Sequence, residues 1–446
     1  MIVIVGAGPA GLAAAKAIAR HGVSCTVIDA ASKPGGQYWR FRDLVQGYKS
    51  QRAYGYFDEL RSNPKITYIN AAQVWSATRT NDLVTLNYLQ AGIEKSLKCQ
   101  TLILTTGAYD RSIPFPGWEK PGSMTPGAAQ ALLKGHGVVV GKKIAISGTG
   151  PFLLPVAVGL AEAGAEVVGV FEAHSPLRWL RSPIALAFNP EKFFELLYYA
   201  KKIKKLSIPM KFGKVVTEFS GSTAFVSRVN SELSIKRSSD EIQCDVVASG
   251  WGFVPDLSLG GILGCKEIVS VDGTVIFSVD RNQQSTVGNI FIAGEATGIG
   301  GSDLALIEGE IAGLASINKR IPFTLRFHRA RKQLFARALI RSYPVGNGWQ
   351  KWLDAKTLIC RCEEVSCSQV LSSVVELKAE DSRTSKLFTR AGMGLCQGRV
   401  CSRNVSEIIA GAKGVPVADT ERISYSNRPL AAPISLGSLA DGIGEK

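Results

Sequence analysis

An α/β fold is predicted, with a doubly wound parallel sheet, a second sheet of the same kind inserted into it, and a small cysteine-bearing helical module at the end. Three observations predict this. A strand, glycine turn, helix and strand follow one another within the first 29 residues. A similar unit recurs at 143–172. Five of the nine cysteines fall between Cys360 and Cys401, a clustering that points to metal more than to scattered core thiols.

The elements follow in order. Ile2–Val5 is a continuous apolar run suited to a buried parallel strand. Leu12–Arg20 is rich in alanine, the strongest helix former, and Gly22 is placed to close that helix. Cys25–Ile28 gives the next strand and ends at Asp29. The second unit reads as strand Lys143–Ser147, turn Gly148–Pro151, a helix to about Glu162, Gly164, and strand Glu166–Phe171. A third glycine-rich stretch follows a strand at Asn289–Ala293. The expected domains are 1–115 with 270–325, an inserted 116–269, a helical linker at 326–356 with a break at Pro344, the cysteine module at 357–412, and a polar tail from 413 to 446.

Composition excludes several classes. With 446 residues, 46% hydrophobic and 20% charged, the chain is globular and long enough for two or three domains. No run of 18 uncharged apolar residues occurs, so no membrane span is read, and the start lacks a signal-peptide pattern. A cytoplasmic location is expected, peripheral to the membrane at most. The charge of +15 fits nucleic acid, anionic lipid or an acidic protein partner. Its one dense run, Arg326–Arg341, reads as the wet face of a connecting helix, and no nucleic-acid module accompanies it.

Gly6-Ala7-Gly8-Pro9-Ala10-Gly11 matches the dinucleotide fingerprint. Gly6 makes the tight turn, Gly8 admits a pyrophosphate, and Gly11 lets helix and strand pack closely. The helix N-terminus then offers N–H groups and positive dipole to phosphate. Asp29, 18 residues after Gly11, stands where an acid accepts ribose hydroxyls. Pro34-Gly35-Gly36-Gln37 supplies a second loop, Thr105-Thr106-Gly107 ends a strand, and Phe291-Ile292-Ala293-Gly294-Glu295 ends the late one.

These pieces resemble the two-dinucleotide flavoprotein superfamily of glutathione and thioredoxin reductases and ferredoxin reductases, over about residues 1–325. The resemblance implies FAD, with contacts from Gly6, Gly8, Pro9, Ala10, Gly11 and Asp29. It adds Gly36, Gln37, Val74, Thr106, Gly107, Gly294 and Glu295. That superfamily usually has Asp where Glu295 stands, so the ribityl contact is expected to be altered. No C-x-x-C pair stands before residue 357, and dithiol chemistry is not expected.

The second turn, Gly148-Thr149-Gly150-Pro151-Phe152-Leu153, has Leu where the third glycine belongs. Leu153 is expected to push helix and strand apart or to move the helix start. Glu172 remains able to bind a ribose and disfavours a 2′-phosphate. Gly148, Gly150 and Glu172 are therefore candidates for NAD(P), for another adenine nucleotide, or for a structural relic, and these three readings stay open.

Cys360-Arg361-Cys362, then Cys396 and Cys401, supply four thiolates. Four is the number a [2Fe-2S] cluster takes, while C-x-C is unusual for structural zinc; bare thiols are the third reading. Gly392, Gly394 and Gly398 leave backbone free to approach sulfur, and Arg361 and Arg399 offset negative charge. Cys367 reads as a helix-packing residue.

ICRCEEV (359–365) and TRAGMGLCQGRVC (389–401) resemble the BFD-like [2Fe-2S] domain, in the version with four residues between the second pair. Together with PGGQYWR (34–40), GTGPFLLPVA (148–157) and NRPLAAPISLGSLA (427–440), they resemble the α-type subunits of opine oxidases, proline and hydroxyproline dehydrogenases and hydrogen cyanide synthase. That resemblance implies an electron-transferring subunit beside an FAD-containing β subunit that takes a hydride from the carbon next to nitrogen. It also implies room for FMN at a subunit interface, for a further small subunit, and for an acceptor such as quinone. Two other readings are weighed: a self-contained NAD(P)H-dependent reductase, and a binding module with structural flavin. No catalytic residue is assigned, because none of the four histidines stands in a poised setting.

Overall fold

The computed structural model describes residues 1–41, 51–425 and 428–443. Asn427, the first residue of the tail motif, and residues 444–446 lie outside the described residues. Contacts group the chain into two compact units: 1–109 with 254–336 and 426–446, and 110–253 with 337–425.

The first unit is built on a five-stranded parallel sheet in the order 290–292, 101–104, 2–5, 25–28, 66–69. Ile2–Val5 sits at its centre, fully buried, with Val5 opposite both Ile28 and Leu104. Because successive side chains alternate, Ile2 and Ile4 join the core under the helix Pro9–Ala19, whereas Val3 and Val5 join the core beneath an antiparallel meander of strands 72–80, 83–90 and 93–99. The helix Ser302–Ser316 lies against Pro9–Ala19, and glycine makes that approach possible. A Cβ on Gly309 would come 2.0 Å from the Ala10 carbonyl oxygen. Cys25 and Cys99 are buried strand thiols, as expected.

The second unit repeats the plan. Its parallel sheet runs 210–212, 166–172, 143–148, 246–250, 123–124, with helices 126–136 and 153–162 packed on it. A three-stranded antiparallel sheet, 214–219, 223–229 and 235–243, lies beside it. The cysteine segment shares a core with this unit: Ile359, Cys360, Val370, Val405 and Ile408 pack among the same residues as Phe115, Phe171 and Phe219. Trp118 Nε1 donates to the Leu358 carbonyl and Trp352 Nε1 to that of Leu233.

The basic run is helical over Phe323–Ser342, and a 3-10 turn at Asn347–Trp352 follows Pro344. The wet-face expectation for that run needs correction. Arg329 donates to Glu308 at 3.3 Å and to Gln283 at 2.7 Å, and Lys332 is buried against Asp303. Part of the basic stripe is spent on the fold.

Candidate cofactor sites

Several predicted flavin contacts come together in the first unit. Gly6 has φ +104, and a Cβ there would sit 2.4 Å from the Thr105 carbonyl oxygen. A Cβ on Gly11 would sit 1.9 Å from the Gly6 carbonyl oxygen, so helix and turn touch backbone to backbone. The Gly36 loop backs onto the turn, 3.0 Å from Gly8 Cα by the same measure, and the Gly35 N–H donates to the Ala7 carbonyl. Gly294, at φ +81, closes against Ala10 and Ala305. Thus Gly8, Pro9, Ala10, Gly36 and Gly294 share one neighbourhood around the first turn of the helix, where Pro9 occupies the initial position.

Asp29 is buried at the strand end, and its carboxylate accepts from the Ala7 and Ala31 N–H groups. Burial pushes it above the usual carboxylate range, opposed by those two hydrogen bonds and by Arg40. Thr106 commits its hydroxyl to the Asp256 carbonyl at 2.6 Å. Gln37 accepts from Arg40 at 2.9 Å, and Gly107 has open space at its α-carbon. Val74 places its side chain in the core beneath the sheet.

Glu295 is the informative departure. Oε1 accepts from the Gly301 N–H at 2.8 Å, while Oε2 is buried with no hydrogen-bond partner among the described residues. Burial, with a smaller push from Glu308, raises this acid to about 7. A buried carboxyl oxygen left over at Glu295, next to Gly294 where a Cβ would stand 3.1 Å from that of Ala10, fits a hydroxyl-rich dinucleotide. Sequence reasoning missed Glu308, whose Oε2 accepts from the Gly294 N–H and the Thr297 hydroxyl. Its signal was an acid on the apolar side of SDLALIEGEIAGLAS.

The second turn is organised differently. Its helix begins at Leu153, five residues after Gly148, whereas the first begins at Pro9, three after Gly6. The shifted start is what Leu153 requires, since its side chain is buried in the core under that helix. Glu172 closes the turn from inside. It accepts from the Gly150 N–H at 2.8 Å, the Thr149 hydroxyl at 2.7 Å and the His174 N–H at 3.1 Å. Gly148, Gly150 and Glu172 do come together, but around the carboxylate itself. Burial raises that carboxyl to about 7 against these bonds.

The four predicted cysteines converge. Cys362 Sγ lies 3.5 Å from Cys396 Sγ, and the Cys401 thiol is within hydrogen-bonding reach of both Cys360 and Cys396. Contact with Cys401 is the chief cause that lowers Cys360 to about 6 and Cys396 to about 5, while Cys401 itself is pushed up. The Gly392 N–H donates to Cys360 Sγ, and a Cβ on Gly394 would strike that of Cys362 at 2.4 Å. Cys360 and Cys401 are buried; Cys362 is exposed. Among the described residues no group of three or more His, Cys, Asp or Glu is arranged for a single metal ion. A two-iron cluster asks for only two thiolates at each iron, which the spacing suits. Arg361 stacks over Trp118 at 5.1 Å, and Arg399 donates to the Cys396 carbonyl. Cys367 opens a helix with its thiol buried, as expected.

A buried ion pair fastens this segment to the rest of the second unit. Arg111 Nη2 lies 3.2 Å from Glu407 Oε1, which Arg403 also reaches at 2.8 Å and Arg422 at 3.9 Å. Burial alone would raise the Glu407 carboxyl, but the three guanidinium groups outweigh it and hold it low. No local pattern announces a pair 296 positions apart.

Residues 1–310 match the profile of the pyridine nucleotide-disulphide oxidoreductases. The chain belongs to that family. Among its relatives, this oxidoreductase is 31% identical over 437 residues to hydrogen cyanide synthase subunit HcnB of Pseudomonas protegens, covering 92% of each chain. It is 29% identical over 471 residues to one of the subunits of opine oxidase from Agrobacterium tumefaciens, covering 98% of this chain and 91% of that one. The fold matches L-proline dehydrogenase from P. horikoshii with TM-score 0.65 at 18% identity, over 98% of this chain and 78% of the other. Thioredoxin reductase of T. acidophilum matches with TM-score 0.53 at 21% identity, over 71% and 97%. The chain is thus an FAD-dependent oxidoreductase by family, similar to subunits of heteromeric flavoenzymes.

Proposed function

We propose that this protein is the electron-transferring flavo-iron–sulfur subunit of a heteromeric dehydrogenase acting on CH–NH donors of the opine, proline or hydroxyproline type. A separate FAD-containing subunit oxidises the substrate, and FMN at the subunit interface and a quinone acceptor complete the path, in a cytoplasmic complex. The observation that carries this reading is the convergence of four cysteine sulfurs, one edge buried and one exposed. Taking electrons in pairs and releasing them singly is the chemistry that FAD and a [2Fe-2S] cluster supply when bound.

The chain's own residues divide the work. Gly6–Gly11 and Gly36 hold the pyrophosphate, Asp29 the ribose and Glu295 a hydroxyl of the flavin chain. Cys360, Cys362, Cys396 and Cys401 ligate the cluster within a BFD-like module at 357–412, and the exposed Cys362 side is the exit. The inserted 116–269 part is a nucleotide fold that Glu172 has sealed.

The test is an anaerobic absorption spectrum of the purified chain, titrated with NADH and then with the partner and its substrate. Flavin and cluster bands that ignore NADH and bleach only with partner and substrate are expected. Prompt bleaching by NADH alone would overturn the sealed site and make the chain a reductase. Cys396→Ser is expected to remove the iron–sulfur bands and leave the flavin; an unchanged spectrum refutes the ligand assignment.

A further inference from the structure

Residues 176–205 of the second unit form a 3-10 turn (Pro176–Arg181), a short helix (Pro183–Ala187) and a longer helix (Pro190–Lys205). The long helix is well specified. Pro190 opens it, Glu191 lies in its first turn, and Lys202, Lys204 and Lys205 fill its last, matching the dipole. Its root is anchored, since Ile203 and Tyr199 pack in the core beneath the sheet.

Its other half is not covered. Phe193, Phe194, Leu196, Leu197 and Tyr198 are all exposed, Phe194 at 67%. Six consecutive exposed positions, 193 to 198, span more than a full turn of helix, and five of them are apolar, spread over about 200° of its circumference. The preceding turns add Leu177, Leu180, Ile184 and Phe188, with Leu180 72% exposed. A surface helix ordinarily hides its apolar stripe, and an apolar arc this wide left exposed requires a covering medium.

Charge decides which medium. The segment carries seven Lys and Arg against two Glu, and Glu195 is already paired with Lys192 at 2.8 Å. A flat protein partner covers one face of a helix and deters charge at its centre. A lipid surface wraps all sides of an apolar projection and draws Lys and Arg to its headgroups. Among the described residues no helix is long and apolar enough to cross a membrane, so the segment would lie in the surface.

We propose that residues 176–205 form an in-plane anchor that seats this protein on an anionic lipid surface. Leu180, Phe188, Phe193, Phe194, Leu196 and Leu197 enter the hydrocarbon boundary, and Lys201, Lys204 and Lys205 meet the phosphates. The proposal does not rest on the identity of the redox partner.

The experiment is co-sedimentation of the full chain with phosphatidylcholine vesicles, with and without phosphatidylglycerol. Binding to the anionic vesicles, weakened by salt, is expected. Leu180→Glu with Phe194→Glu should reduce it at least about tenfold. Lys204→Glu with Lys205→Glu should reduce it on the order of tenfold on anionic vesicles. The Leu180→Glu, Phe194→Glu variant should keep the wild-type melting temperature, since both side chains are exposed, and the lysine variant should stay folded with a small decrease, since its new acids face the helix C-terminus. Failure of folded wild-type protein to bind at low salt overturns the proposal, as does binding that the variants leave unchanged. So does a wild-type complex, with a second copy or a partner subunit, that Phe194→Glu dissociates while no vesicle is bound.

Discussion

Two glycine turns, built on the same strand–turn–helix plan, reach opposite ends. In the first, Asp29 bonds to the N–H of Ala7, between the first two glycines. In the second, Glu172 bonds to the N–H of Gly150, the glycine whose backbone should meet a pyrophosphate. One acid braces its turn from the side; the other occupies the anion position. The longer side chain of glutamate, joined to a helix that starts two residues late, makes the difference. On the proposed reading, this nucleotide fold keeps its sheet and helix while its phosphate site is satisfied by its own carboxylate.

The largest effect should come from making the first turn like the second. Gly11→Leu would drive a side chain into the Gly6 carbonyl, 1.9 Å from where a Cβ must stand. Purified protein carrying no flavin absorbance is expected; retention of flavin would show that helix and strand can part without cost. The converse change, Leu153→Gly, empties a buried leucine position and should cost about 3–5 kcal/mol in denaturant unfolding. It should not create NADH binding, because Glu172 still holds Gly150. If NADH bleached that variant, the leucine rather than the glutamate would be what closed the turn.

Each unit also owns one buried glutamate tied to arginine, and the two differ in sign. Glu308 faces Arg329, and burial leaves it raised; Glu407 faces Arg111, Arg403 and Arg422, which hold it low. Glu407→Gln should strand buried guanidinium charge at a cost of about 3–5 kcal/mol. A fall of roughly 10 °C in the melting of the second unit is expected. A shift within error would mean that Arg111 finds water or another acceptor.

What the sequence made legible follows from local rules. Both strand–turn–helix units, the late strand before Gly294 and the cysteine spacing depend on successive motif residues at most 34 positions apart, and period and turn chemistry report them. The Arg111–Glu407 pair depends on packing 296 positions across the chain, and the filling of the second turn by Glu172 and the burial of Arg329 and Lys332 depend on side-chain geometry that no residue pattern reports. Leu153 shows the limit well: its presence announces a defect, but not whether helix separation or a shifted start relieves it. For Glu295, the departure from Asp was visible, while its orphaned oxygen is a matter of burial.

The smallest effect tests the electrostatics of the sealed turn. Glu172 is raised from an ordinary 4.5 to about 7 in the folded chain, chiefly by burial. Between those values the folded state holds a proton that the unfolded state has lost, so unfolding releases it and stability falls as pH rises. The whole contribution is present below about pH 4.5 and gone above about 7, amounting to ~3 kcal/mol at most. Glu407 runs the other way, stabilising at neutral pH and failing only in acid, so the two windows do not overlap. Glu295 is raised to the same value and adds a slope of the same sign from the first unit, which Glu295→Gln measures as a control. Glu172→Gln should flatten the decline of melting temperature between pH 5 and 7 that remains in that control. A slope unaltered by Glu172→Gln would mean the carboxylate is charged in the folded turn, held there by Gly150, Thr149 and His174 as an anion would be.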